Sequence, residues 1–138
     1  MNIPNFPTMV VLLLAATRVD AAVPTLTVTQ LTRDGHPTMS VSDVTLRGLN
    51  DHVLSQGLHT GEALPDDVRV EVPANETVTV TAQNGRSSLV LQSGAIATFH
   101  YTGSLESVAV AAGKASVDDP LNFFRVTAAN GYETTPHG

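Results

Sequence analysis

Cysteine is missing from this sequence of 138 residues. Its absence excludes disulfides, thiolate metal sites and cysteine nucleophiles, so a secreted form of the chain would be held together by its hydrophobic core alone. Tryptophan is also absent, and aromatic residues make up only 4% of the chain. Ligand-binding clefts draw heavily on aromatic side chains, so the composition offers little support for a secreted carbohydrate-active enzyme.

Positive charge is scarce as well. Seven Lys and Arg residues stand against thirteen Asp and Glu residues, which gives a net charge of −6, and Lys114 is the single lysine. Six scattered arginines and one lysine do not make a basic patch, so nucleic acid and anionic membrane surfaces are poor partners. No apolar run reaches the roughly 20 residues of a spanning helix, so we expect no membrane span in the mature chain.

The N-terminal segment has the pattern of a secretory signal peptide. An apolar run covers Val10–Thr17, and acceptable residues for cleavage follow at Val19–Ala21. The segment before the run departs from the pattern, because it lacks Lys and Arg. We predict that residues 1–21 are removed and that the protein is periplasmic or extracellular.

The stretch from Val68 to Gln92 predicts β-hairpins. Apolar and polar residues alternate on both sides of Asn84-Gly85, and Asn-Gly between alternating hydrophobics is the strongest short-range hairpin signal. A two-residue loop there sets the register, with Val80 opposite Leu89 and Thr81 opposite Ser88. One face of this hairpin is thereby apolar, as a sheet with one buried face requires.

The whole chain is predicted to be all-β. Val and Thr dominate, turn signals recur about every ten residues, and no segment keeps a helical period over three turns. We expect a small antiparallel sandwich, barrel or β-roll of about 8–9 short strands. Residues 22–36 are expected to form an N-terminal arm or edge strand, and residues 37–138 a single β domain in which 50–61 is a loop.

The predicted core consists of the inward-facing residues of these strands. They are Val68, Val70, Val72, Val78, Val80, Leu89, Leu91, Phe99, Val108, Val110, Phe124 and Val126.

Several of these motifs together resemble FecR-like domains. The run Gly61–Val70 resembles the family's G-x-x-L-x-x-G-D-x-V opening, although Asp66 stands where the family usually has Gly. An alternating stretch, the turn at Asn84-Gly85, and strands similar to Gly113–Val117 and Phe124–Gly131 follow in the family's order. The resemblance covers about Leu46 to Gly138. It implies a periplasmic or extracellular β-module of the interaction type, with no catalytic residues to carry over.

Histidines are the only side chains that ordinarily titrate near neutral pH. His52 and His59 lie in the segment expected to be a loop, without HExxH or comparable metal-ligand spacing, and we interpret them as solvated or partner-facing. His100 alternates with Phe99 and Tyr101, so His100 is expected to point to solvent or to a partner. We predict no cofactor and no metal.

The acidic pairs and serines show no catalytic pattern either. Asp66-Asp67 and Asp118-Asp119 supply too few oxygens for a calcium loop and are interpreted as turn caps. Gly103–Ser107 does not match G-x-S-x-G. The sequence therefore favours a protein that is not an enzyme.

Interaction through sheet edges and loops is the function that the sequence favours. The arm, with Leu26 and Val28 on one face, could close the sheet in cis or add to a neighbour in trans. The predicted interaction residues are Leu26, Val28, His52, His59, His100 and Tyr101, and the partner would be a protein, a polysaccharide or the protein's own copies. The alternatives are a subunit of an extracellular fibre or surface layer, and a carbohydrate-active enzyme with an unrecognised carboxylate pair.

Overall fold

A computed structural model describes residues 26–128, and it contains twelve β-strands and no helix. The strands are β1 Leu26–Arg33, β2 His36–Thr38, β3 Ser40–Arg47, β4 Val53–His59, β5 Ala63–Leu64, β6 Val68–Glu71, β7 Glu76–Ala82, β8 Ser88–Leu91, β9 Ile96–Tyr101, β10 Glu106–Ala112, β11 Ala115–Asp118 and β12 Phe124–Ala128. The expected signal peptide lies outside the described residues. No helix able to cross a membrane occurs within 26–128.

The strands form two sheets packed as a sandwich. Sheet 1 has the order β11-β8-β7-β1-β2, with β5 also paired to β1, and sheet 2 has the order β12-β10-β9-β6-β3-β4. All pairs are antiparallel except β10 with β12, which is parallel. The all-β prediction is confirmed, and of the three architectures the sandwich is the one found, not a closed barrel. The count of 8–9 strands was too low.

The predicted hairpin register is confirmed in β7 and β8. Val80 pairs with Leu89, Val78 with Leu91, and Thr81 with Ser88. The side chain of Asn84 explains why the turn forms here, because its Oδ1 accepts hydrogen bonds from the backbone N–H groups of Arg86 and Ser87, at 2.7 and 2.9 Å.

The core lies between the two sheets, as predicted. Eleven of the twelve predicted core residues are buried, and Val126 packs against them half-buried. Besides Val117 and the alanines at positions 82, 95, 97 and 115, the prediction missed three groups of contributors. They are Leu26, Val28 and Leu31 of β1, Val41, Val44 and Leu46 of β3, and Leu58 and Leu64 of β4 and β5.

The first described strand, β1, is an interior strand and not an arm or an edge. It pairs with β7 on one side and with β2 and β5 on the other. A β-bulge between Val28 and Gln30 changes the alternation, so that Leu31 turns inward and Gln30 remains exposed. The bulge keeps three apolar side chains on the core face, and the arm and the domain are therefore one unit from Leu26 onward.

The segment 50–61 was predicted to be a loop, and that prediction is wrong for most of it. Residues 53–59 form β4, which pairs with β3 at the margin of sheet 2. The strand was missed because its exposed residues do not alternate and because Gly57 interrupts it. Gly57 has a φ of 95°, and a Cβ there would lie 3.0 Å from the carbonyl oxygen of Val41. Glycine permits this close, irregular pairing.

Candidate functional site

Sheet margins are candidate binding surfaces because their outer backbone groups have no partner strand. Apart from the two-residue β5, which pairs only with β1, the sheets within 26–128 end in four marginal strands: β11 and β2 in sheet 1, and β12 and β4 in sheet 2. β2 has three residues and contains Pro37, and β11 has four residues and carries Asp118. β12 has five residues and carries the exposed Arg125. Prolines, charges and short length are the features that protect edges from strand addition.

β4 lacks most of these protections. It is the longest of the four marginal strands, with seven residues, VLSQGLH, and it contains no Pro, Lys, Arg, Asp or Glu. The four successive residues Val53–Gln56 are all exposed. Val53 and Leu54 are 52% and 53% exposed, which is unusual for two adjacent large aliphatic side chains. The strand therefore presents an uncharged margin with an apolar end.

The only protection that β4 retains is irregular pairing with β3. Val41 pairs with Leu58 and Thr45 pairs with Gln56, so three residues of β3 stand opposite Gly57 alone. A second irregularity lies at the other end, between Leu46 and Arg47. Bulges of this kind twist a strand and re-aim its side chains. They divide β4 into an apolar part at Val53–Leu54 and a polar part at Ser55–His59.

The polar part of β4 borders an open hollow. The hollow has a volume of about 410 Å³ and is lined by Ser40–Ser42, Ser55–His59 and Glu62. His59 lies at its end, with Nε2 3.6 Å from Glu62 Oε1, and the backbone N–H of His59 donates to the same oxygen at 3.0 Å. Serine hydroxyls and one carboxylate line this hollow, so it offers hydrogen-bonding groups but no paired acids.

The apolar part of β4 adjoins the β3–β4 turn. Leu49 is 74% exposed in this turn, and the exposed Val53 and Leu54 follow at the start of β4. These three exposed residues, which are close in sequence, are called the apolar cluster. Hydrogen bonds within the turn hold its shape, with the Gly48 N–H donating to the His52 carbonyl at 2.8 Å. The predicted interaction residue His52 lies here, exposed and beside the cluster.

Four charged side chains fix this turn to the sheet. Arg69 Nη2 lies 2.6 Å from Asp51 Oδ1 and 3.2 Å from Glu71 Oε2, and Arg47 Nε lies 3.1 Å from the same Glu71 oxygen. The group alternates in sign and is balanced, two arginines against two carboxylates. Ion pairs therefore link the turn that carries Leu49 to β6.

Two more of the predicted interaction residues, His100 and Tyr101, lie together at the same end of sheet 2, where β9 ends. His100 Nδ1 is 2.6 Å from Asp67 Oδ1, and the Tyr101 N–H donates to Asp66 Oδ1 at 2.8 Å. The Asp67 carboxylate raises the pKa of His100 above its ordinary value, chiefly through this hydrogen bond, with smaller contributions from the charges of Asp67, Asp66 and Glu106. His100 is exposed, as predicted.

Asp66, Asp67 and His100 are also the one group within 26–128 whose geometry could accept a metal ion, with ligand atoms within 4.8 Å of one another. A cation would need to displace the His100–Asp67 ion pair, and Asp66 already accepts the Tyr101 N–H. The arrangement is fully accounted for by an ion pair and a backbone cap. Sequence reasoning placed Asp66-Asp67 in a cap and His100 on the outer face, but it did not bring them together.

Leu26 and Val28 do not lie at a surface. They are 2% and 0% exposed and face the core, because β1 is interior. The six predicted interaction residues thus fall into three places: His52 and His59 at the two ends of β4, His100 and Tyr101 at the end of β9, and Leu26 and Val28 inside the sandwich.

Three carboxylates within 26–128 are buried: Glu76, Glu106 and Asp119. Of these, sequence analysis singled out Asp119 alone, as part of a pair interpreted as a turn cap. Asp119 accepts hydrogen bonds from the backbone N–H groups of Phe123 and Phe124, both at 2.8 Å, and so begins β12. The local sequence indicated a capping role for Asp119, because Asp119 precedes Pro120 and the apolar pair Phe123-Phe124. Nothing in the local sequence indicated that Glu76 is buried, because its partner Arg33 is 43 residues away.

Comparison with known proteins adds no relative: no protein-family model, curated protein or solved structure matches this chain.

Proposed function

We propose that this protein is an exported, non-enzymatic interaction module that binds an extended segment of a protein partner by strand addition to β4. The observation that carries the proposal is the character of this margin: seven residues without charge or proline, four of them successively exposed. Main-chain hydrogen bonds supply affinity in strand addition, and side-chain pockets supply specificity. The cluster of Leu49, Val53 and Leu54 and the polar hollow supply two such contacts.

Export is supported by the signal-peptide pattern at 1–21. The resemblance of about Leu46–Gly138 to FecR-like domains supports an interaction module outside the cytoplasm. The hollow beside β4 has a single lining carboxylate, Glu62, which fits binding better than acid–base hydrolysis.

A second candidate is self-assembly through the same margin. The chain is acidic, with a net charge of −6, and copies of it repel one another over most of their surface. β4 carries no acidic residue, so two copies can approach there without juxtaposed carboxylates. The fibre or surface-layer alternative therefore uses the same strand as the partner-binding proposal.

A single exposed lysine on the margin tests both versions. Ser55→Lys places a charge on β4, and Thr127→Lys, an equally exposed change on β12 of the same sheet, is the matched control. Peptides selected from a random library against the purified protein are then titrated against both variants. We expect Ser55→Lys to weaken binding at least about tenfold, a loss of about 1.4 kcal/mol, and Thr127→Lys to leave it unchanged.

Two further readouts separate the possibilities. Methylating alternate backbone amides of a selected peptide should abolish binding, because strand addition needs those donors. Light scattering across concentration reports self-association, which Ser55→Lys should abolish if β4 joins copies. Peptides that bind wild type and Ser55→Lys equally well would refute the β4 assignment.

A further inference from the structure

The structure contains a buried carboxylate oxygen with no hydrogen-bond partner. Glu76 begins β7 and is 2% exposed. Its Oε2 accepts hydrogen bonds from Arg33 Nε and Nη2, at 3.1 and 2.9 Å. Its Oε1 is shielded from solvent and is the only buried side-chain polar atom within 26–128 that lacks a partner. A buried ionised carboxylate oxygen without a donor is strongly unfavourable, so the arrangement needs an explanation.

A second carboxylate lies beside it. Arg33 Nη2, which binds Glu76, also lies 3.1 Å from Asp43 Oδ1. Two carboxylates that contact one nitrogen are close neighbours, and one guanidinium balances only one of their charges. Arg33 pairs directly with Glu76 across β1 and β7 of sheet 1, whereas Asp43 belongs to β3 of sheet 2. The three side chains therefore connect the two sheets.

We propose that Asp43 and Glu76 share one proton at pH 6, held on Glu76 Oε1 and donated to Asp43. Glu76 is then a neutral acid whose second oxygen still accepts from Arg33, and the group of three carries no net charge. The proton satisfies the orphan oxygen, and it leaves Asp43 as the ionised partner of Arg33. Arg33, Asp43 and Glu76 together are called the proton clamp below.

The electrostatics point in the same direction. Burial raises the pKa of Glu76, and the neighbouring Asp43 raises it further, against the opposing effect of Arg33. The pKa of Asp43 is lowered, first by the hydrogen bond from Glu76 and also by Arg33. Arg33 from β1 and Asp43 from β3 are the charged groups that act on Glu76 in the described part of the chain. An acid pair with its two pKa values moved apart is what one shared proton produces.

The proton clamp connects the irregular part of β3 to β1 and β7 of sheet 1. Asp43 lies among the three residues between Val41 and Thr45 that stand opposite Gly57 of β4. A proton is thus a structural component of the support behind β4. The inference concerns the chain's own chemistry and stands whether or not β4 binds a partner.

The pH dependence has a definite sign. A carboxyl whose pKa is raised on folding binds its proton more tightly in the folded state, so acidification between its folded pKa and its ordinary value of 4.5 stabilises the fold. Over that window one proton lowers the unfolding constant by at most about tenfold per pH unit. Below it, protonation of Asp43, whose pKa is lowered, removes stability again. The clamp is strongest when it holds one proton.

Carbon-13 NMR of the glutamate side-chain carboxyl groups tests the proposal directly. We expect the Glu76 carboxyl to show the chemical shift of the protonated acid at pH 6. An ionised Glu76 at pH 6 would overturn the proposal. The assignment can come from backbone connectivity, so this measurement needs no variant.

Urea unfolding from pH 5 to pH 8 gives an independent check. Glu76→Gln retains a donor toward Asp43 and an acceptor toward Arg33, so we expect an unfolding constant within about tenfold of wild type at pH 6. The pH slope should lose the contribution of Glu76 and keep that of His100. Glu71→Gln, the same change in the arginine pairs of sheet 2, should retain that slope. A Glu76→Gln protein that unfolds at least a hundredfold more readily with an unchanged slope would show that Glu76 is an ordinary ionised partner of Arg33.

Discussion

The imidazole Nδ1 of His100 lies 2.6 Å from the Asp67 Oδ1, and this contact joins the end of β9 to the turn that precedes β6. The two residues are 33 positions apart, and both are accessible to solvent. Their pairing makes the outer end of sheet 2 sensitive to pH. The consequence can be distinguished from that of the proton clamp by substitution, because the two depend on different residues.

We expect the contribution of His100 to the stability of the folded state to decrease as pH rises above neutrality. Its pKa is raised above 6.5 by Asp67, so its stabilising contribution is complete below about 6.5 and is lost as pH rises through the folded-state value. We expect His100→Gln to reduce the difference in unfolding free energy between pH 6 and pH 8. Urea unfolding at both values measures it. His36→Gln, at the exposed start of β2, is the control and should leave the difference unchanged.

Leu31 and Gln30 should respond to truncation in opposite ways. Leu31 is fully buried and Gln30 is exposed because of the bulge in β1. Leu31→Ala is expected to cost about 2–5 kcal/mol through the cavity that it leaves. Gln30→Ala should change stability by no more than about 0.5 kcal/mol. Denaturant unfolding compares the two, and a reversed order would mean that β1 continues without the bulge.

Replacing Asp119 should lower the free energy of unfolding far more than replacing its neighbour Asp118. Asp119 is buried and accepts from two backbone N–H groups, whereas Asp118 is exposed. Asp119→Ala leaves the donors of Phe123 and Phe124 unsatisfied, at about 1–3 kcal/mol each. Asp118→Ala should fall within about 0.5 kcal/mol of wild type. Thermal and urea unfolding would show this, and equal effects would contradict the capping role.

Alanine substitutions at two glycines with similar φ values distinguish the cost of backbone strain from the cost of steric crowding. Gly35 and Gly113 have φ values of 80° and 72°. A Cβ at Gly35 meets nothing within 4 Å, whereas one at Gly113 would lie 2.6 Å from the Ala95 Cα. Gly35→Ala is expected to cost about 1–2 kcal/mol from the left-handed conformation alone. Gly113→Ala should cost at least about 3 kcal/mol or prevent folding, because the backbone at Ala95 must move as well. Comparable losses in the two variants would refute this packing.

Local patterns predicted the fold well where the chain is regular. The β7–β8 register followed from Asn84-Gly85 and from alternation, because both depend on residues adjacent in sequence. β4 was missed because an irregularly paired edge strand does not need alternation. The interior position of β1 depends on a bulge, which one extra residue creates without any marked sequence signal.

The candidate site was less predictable for a physical reason. His52 and His59 could be assigned to one segment by position, but the edge that they flank is defined by which strands lack neighbours. Asp67 and His100 meet only because β6 pairs with β9. Glu76 looked like an ordinary turn residue, and its burial beside Arg33 and Asp43 depends on contacts between distant strands and between the two sheets.

The interior position of β1 determines when the sandwich can form. Leu26 at the start of β1 pairs with Ala82 at the end of β7. The first described strand, β1, therefore cannot complete its pairing with β7 until the chain has been synthesised as far as Ala82. Long-range pairing of this kind slows folding, because a long loop must close before the contacts form. A nascent chain shorter than Ala82 keeps Leu26, Val28 and Leu31 without their neighbours in β7.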